Sequence, residues 1–172
     1  MPTVEFNEKE YETAFNYEFL CKYASDINEF PYMPTTIKEA NEGFDVNYKI
    51  KKGTTAKSLF FQFKGPRWYK NRPYSCDTSM LFGGNLLGFR LHRGKPPKYY
   101  EQHNCLVRKA TGIEPGYKIE VYYVAPTFHT KGELFSSLKK KGSTEKVYWS
   151  RPSRHWSFTT KRSYTTYGIL QS

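Results

Sequence analysis

Near the start of the chain an aromatic residue returns at every fourth position: Tyr11, Phe15, Phe19 and Tyr23, with Ala14, Leu20 and Ala24 beside them. That spacing puts them on one face of a helix, and it predicts a helix over 8–25. Asn7 can cap it, and Glu8, Glu10 and Glu12 suit the positive end of its dipole. Glu18 falls at the edge of the apolar face, where an acid either snorkels to solvent or points inward as a ligand. Residues 26–42, with Pro31 and Pro34, read as a loop. The period then changes to two. Phe44, Val46, Tyr48 and Ile50 alternate with Asp45, Asn47 and Lys49, which predicts a strand over 43–50 with the first set toward the core. Residues 51–57, with Gly53, read as a hairpin-like connection. A second strand follows at 58–65. Leu59, Phe61 and Phe63 share one face, and Phe60, Gln62 and Lys64 share the other.

Gly65, Pro66, Pro73, Gly83 and Gly84 break any pattern over 65–84. A strand is expected at 85–92 and a helix over about 98–111, after Pro96 and Pro97. On that helix Tyr99, His103, Leu106 and Ala110 form one stripe. Residues 118–124 are rich in strand formers. Thr130-Lys131-Gly132-Glu133 fits a capping box and opens a helix that ends near Lys139, Lys140, Lys141 and Gly142. Short strands at 146–149 and 155–160 close the pattern. The order is helix, three strands, helix, strand, helix, two short strands. It predicts one mixed α/β domain over 1–172, layered around a single sheet.

Charge sharpens the picture. The net charge of +11 is unevenly spread. Residues 1–45 hold 10 acidic and 3 basic residues, whereas residues 46–172 hold 6 acidic and 24 basic. A strongly basic body points to a polyanionic partner, nucleic acid above all. The acidic segment beside it can supply metal ligands or merely a solvated helix. With 15 Tyr and 13 Phe, there are aromatics to spare for stacking bases. Cys21, Cys76 and Cys105 are far apart and odd in number, which argues against a disulfide framework or a zinc site and for a reduced, cytoplasmic setting. No run of 18 apolar residues exists, so no membrane span is expected. The first eight residues have neither the basic nor the apolar region of a secretory leader.

Candidate chemistry gathers on the two central strands. Asp45 and Gln62 lie on the polar faces of strands that can pair as a hairpin, and Lys64 shares the face of Gln62. Metal-assisted phosphodiester hydrolysis needs hard oxygen ligands for Mg²⁺ and a cation to steady the developing charge. Asp45 and Glu18 would be the anionic ligands and Gln62 a neutral one. Lys64 would orient the nucleophile or neutralise the phosphorane. Glu18, Asp45 and Gln62-Phe63-Lys64 in this order resemble the PD-(D/E)XK nuclease superfamily. Its signature is an acid on the first helix, an Asp at a strand start and acid-x-Lys on the next strand. Gln62 matches a variant seen in relatives of the Mrr restriction enzymes, and Phe44 stands where a Pro is usual. The resemblance implies a restriction endonuclease-like mixed β-sheet flanked by helices, Mg²⁺ or Mn²⁺ as cofactor, DNA (or RNA) as substrate, a role in bacterial defence, and a homodimer able to cut both strands. Segments 62–64, 102–104 and 123–129 are also similar to a group of bacterial proteins of no established activity.

Other residues extend the reading. Arg67, Trp68, Lys70 and Arg72 interleave cations with aromatics just after Lys64, fit to grip phosphates and stack a base, or equally to form a basic loop with Trp68 in the core. Gln102 and His103 are auxiliary candidates, His103 as a proton shuttle or a buried structural residue. His129 would bind phosphate or lock its loop. Lys139–Lys141, Arg151, Arg154, Lys161 and Arg162, with Trp149, Trp156 and Tyr164, suggest a second contact surface or a solvated basic face. Two rivals to a nuclease stay open: a non-catalytic nucleic-acid-binding module on the same fold, and a basic protein-interaction component of a defence system.

Overall fold

The computed structural model describes residues 3–69, 86–88, 101–140 and 147–150, with the backbone alone for 67–69, 86–88, 101 and 147–150. Its elements run α1 (Glu8–Tyr23), α2 (Thr36–Glu42), β1 (Val46–Lys52), β2 (Thr55–Phe63), β3 (Arg67–Tyr69), β4 (Leu86–Gly88), α3 (Glu101–Ala110), β5 (Lys118–Pro126), α4 (Lys131–Lys139) and β6 (Val147–Ser150). The main sheet is ordered β1-β2-β5-β6, with β2 and β5 parallel and the outer pairs antiparallel. β3 and β4 pair as a separate two-stranded ribbon. The architecture is mixed α/β with a mixed sheet between helices.

Local chemistry accounts for most element ends. Asn7 and Glu10 form a reciprocal capping box at the start of α1, and Thr130 and Glu133 do the same for α4. The expected connection over 51–57 is tighter than the sequence suggests. β1 and β2 pair as far as Lys52 and Thr55, so only two residues turn the chain. Gly53 takes φ 58°, the conformation that such a turn needs and that side chains resist. The expected loop over 26–42 contains α2. This seven-residue helix buries none of its side chains, so it leaves no apolar period to read.

Two hydrophobic layers flank the sheet. On one face Tyr11, Phe15 and Phe19 of α1 pack with Val46, Tyr48, Leu59, Phe61, Phe63, Tyr122 and Val124, and Leu134 of α4 joins them. Phe61 sits edge-on to both Phe15 and Phe19, a geometry favoured by the ring quadrupoles. On the other face Leu106 of α3 packs with Phe44, Phe60, Val121 and Tyr123. The alternation read on β2 therefore holds, but both of its faces are covered. Phe44 departs from the expected face. It precedes β1 and packs against Phe60 on the α3 side, whereas Val46 and Tyr48 face α1.

Gly43 couples α2 to α3. It caps α2 with φ 82°, and its N–H donates to the Glu39 carbonyl. A Cβ there would lie 2.7 Å from the Gln102 carbonyl oxygen. Gly43→Ala thus meets both a disfavoured backbone conformation and a clash with helix backbone. It is expected to lower unfolding free energy by more than about 1 kcal/mol in urea titration; an unchanged midpoint would contradict this packing.

Candidate active site

Asp45 stands one residue ahead of β1, where β2 ends. Its N–H donates to the Phe61 carbonyl (2.8 Å), so the strand ladder fixes its backbone. One carboxyl oxygen, Oδ2, accepts the Phe63 N–H at 2.5 Å and the Gln62 Nε2 at 2.8 Å. An oxygen that already accepts one N–H calls for a second donor, so the amide nitrogen of Gln62 turns toward it. The amide oxygen is left over. Gln62 is only 1% exposed, and its Oε1 has no hydrogen-bond partner among the described residues. Leaving such an atom buried costs about 1–3 kcal/mol. Lys64 follows on the same face and is 9% exposed. Its backbone N–H donates to Val124, and its Nζ donates to Gln102 Oε1 at 3.2 Å. Asp45, Gln62, Lys64 and Gln102 are thus brought together at one end of the sheet.

An acid not singled out in the sequence joins them. Glu39 of α2 hydrogen-bonds to the Asp45 carboxyl. Burial pushes the Asp45 carboxyl up to about 8, and the charge and hydrogen bond of Glu39 push the same way; the Phe63 N–H and the Lys64 charge oppose them. Lys9 senses the same acids. Its amine is held above the usual lysine range first by its hydrogen bond to Glu12, and further by the charges of Glu12, Asp45 and Glu39. Of the acids on α1, Glu12 is thus linked to the Asp45 neighbourhood through Lys9, with Lys9 Nζ at 2.8 Å from its carboxylate. Glu18 is buried on α1, the helix that covers the opposite sheet face from Gln62 and Lys64, and its charge raises the Tyr11 hydroxyl pKa. Only tertiary structure places Glu39, because α2 shows no period and its Glu looks like any solvated residue.

α3 forms the far wall. His103, buried as its stripe suggests, shares a 2.8 Å hydrogen bond through Nδ1 with Tyr123 Oη. Tyr123 is the register partner of Gln62 on β5. This pair anchors α3 against the sheet and fixes the neighbouring Gln102 over Lys64. Beyond Lys64, the Gly65 N–H donates to the Glu8 carboxylate. β3 then carries Arg67 and Trp68, whose backbone alone is described, while Lys70 and Arg72 lie outside the described residues. His129 uses its backbone: its carbonyl accepts the Glu5 N–H and its N–H donates to Glu133. That supports the loop-locking alternative. Arg151, Arg154, Trp156, Lys161, Arg162 and Tyr164 also lie outside the described residues.

The donor set suits a hard divalent cation in part. Among the described residues there is no group of three or more His, Cys, Asp and Glu able to hold a metal. Asp45 and Glu39 supply two carboxylates, and a third oxygen has to come from the unpartnered Gln62 amide. Among the described residues, no helix is long and apolar enough to cross a membrane. No family model, curated protein or solved structure matches the chain.

The raised Asp45 pKa has a sign that can be tested. The folded protein holds the Asp45 proton far above the ordinary aspartate value, so the stability it contributes is complete below about pH 4 and is lost as pH rises through about pH 8. Over that window unfolding free energy falls by up to about 1.4 kcal/mol per pH unit from this group. Asp45→Asn can keep an accepting oxygen toward Phe63 and Gln62 and turn its amide toward Glu39. In urea unfolding across the window, the variant is expected to show a flatter pH profile and to overtake the wild type at the alkaline end. Parallel profiles would remove Asp45 as the titrating group.

Proposed function

We propose that the protein is a divalent-metal-dependent nuclease of the restriction endonuclease-like fold. It hydrolyses phosphodiester bonds of DNA, with RNA as the lesser candidate, and acts as a cytoplasmic homodimer in bacterial defence. The observation that carries the reading is the buried, unpartnered Gln62 oxygen beside Asp45, with Lys64 two residues along the same strand. The mixed sheet, with α1 and α4 on one side and α3 on the other, supports the fold assignment, as does the order of elements. The basic balance of residues 46–172 supports a polyanionic substrate.

Each residue has a definable task. When bound, Mg²⁺ or Mn²⁺ supplies Lewis-acid polarisation of the phosphate and a nucleophile at neutral pH. Asp45 offers the fixed carboxylate, held by the Phe63 N–H. Gln62 offers its oxygen without a change of charge. Lys64, held off Asp45 by Gln102, presents a cation that steadies the negative charge growing on the phosphoryl oxygens. Arg67, Trp68, Lys70 and Arg72 come next in the chain and serve to grip the backbone and stack a base.

One observation favours a second reading. Asp45 and Gln62 already satisfy each other in a buried pair, which an inert fold element would also do. In that case the protein binds nucleic acid without cutting it. Incubation with plasmid, single-stranded DNA and RNA plus Mg²⁺ or Mn²⁺ separates the two. The nuclease reading expects cleavage that falls by about 100-fold or more in both Asp45→Ala and Lys64→Ala. Salt-sensitive binding with no cleavage of any substrate, or cleavage indifferent to Asp45→Ala, overturns it.

A further inference from the structure

We infer that Glu39 supplies the carboxylate that the strand lacks at Gln62, so that Asp45, Glu39 and the Gln62 amide oxygen hold one divalent cation between them. The inference rests on the nuclease reading above and goes beyond it, because it moves an anionic ligand from the strand to α2.

Three independent features converge. The first is contact: the Glu39 and Asp45 carboxyl groups share a hydrogen bond, an arrangement two carboxylates adopt only when something positive sits between them. A proton does so in the cation-free protein. The second is the Gln62 amide. Its nitrogen is pinned to Asp45, and its oxygen is buried beside the carboxyl pair without a partner. A buried acceptor next to two acids cannot be satisfied by either of them once ionised. A hard cation satisfies all three at once. The third is the way Glu39 is delivered. α2 has no buried side chains of its own, yet Gly43 locks its end against the Gln102 carbonyl, with no room for a Cβ. That lock holds α2 in place beside Asp45, and the Glu39 carbonyl accepts the Gly43 N–H that completes it. The charge that a Gln-x-Lys strand gives up is thereby restored from a neighbouring helix. Lys9, which feels both Asp45 and Glu39 from α1, marks the spot as one that attracts positive charge.

Isothermal titration of Mn²⁺ into the metal-free protein tests this without any assay of cleavage. Wild type is expected to bind one Mn²⁺ per chain. Glu39→Gln should weaken binding by about 10-fold or more, since even indirect partners of a metal are worth about 10–100-fold. Adding Gln62→Glu to Glu39→Gln should recover most of the loss, because it returns the missing charge to the strand. Circular dichroism of each variant confirms folding. If wild type and Asp45→Asn bind Mn²⁺ equally or not at all, the nuclease reading itself falls and takes this inference with it. If Asp45→Asn abolishes binding but Glu39→Gln does not weaken it, the reading stands and the inference alone is overturned. A loss in Glu18→Gln with none in Glu39→Gln does the same and returns the ligand to the first helix.

Discussion

A single carboxyl oxygen ties the working end of this protein together. Asp45 Oδ2 accepts the backbone of Phe63 and the side chain of Gln62, so the start of β1 is pinned to the end of β2 by bonds beyond the ordinary ladder. The pin is buried, which makes it both rigid and electrostatically expensive. Rigidity lets Gln62 and Lys64 keep fixed directions where a strand would otherwise fray. The expense shows in the Asp45 proton, which the fold retains well above the usual carboxylate range because burial and Glu39 both oppose a bare charge. A site that holds a proton so tightly between two acids is also one that a harder cation can occupy.

The sheet makes this arrangement possible by covering both faces of β2. α1 lays Tyr11, Phe15 and Phe19 against Leu59, Phe61 and Phe63, an aromatic layer that leaves no freedom of register, since a slip by one residue would bring Phe60 and Gln62 into it. α3 covers the other face through Leu106 and the His103–Tyr123 hydrogen bond. Buried on that side, Lys64 is steered by Gln102. The same burial that stabilises the fold thus sets the reach of the one cation two residues from the pin.

Much of this was legible in the chain and some of it was not. The fourfold recurrence of aromatics gave α1 and its buried face, and the two capping boxes could be read from Asn7, Glu10, Thr130 and Glu133 because they depend on neighbours three residues apart. The alternation along 58–65 sorted Leu59, Phe61 and Phe63 from Phe60, Gln62 and Lys64, and the approach of Asp45 to Gln62 followed from pairing the two strands. Burial of the polar face was not legible. Gln62 and Lys64 look solvated until α3 is placed over them. α2 was read as loop because its stability comes from the Gly43 contact with α3, not from its own side chains. Glu39 went unnoticed for that reason, and Glu18 drew attention because it sits on a helix that does carry a pattern. Phe44 changes face because it precedes the strand, where period-two reasoning no longer applies.

The amide at position 62 remains the pivot of the account. In the metal-free protein its nitrogen faces Asp45 and its oxygen has no partner among the described residues. Anomalous diffraction from crystals grown with Mn²⁺ addresses this directly. The account predicts a peak within coordination distance of the Asp45 carboxyl and the Gln62 Oε1, about 2.0–2.6 Å for hard divalent cations on oxygen. An Asp45–Gln62 hydrogen bond unchanged at saturating Mn²⁺, with no anomalous peak beside it, would contradict the account at its centre.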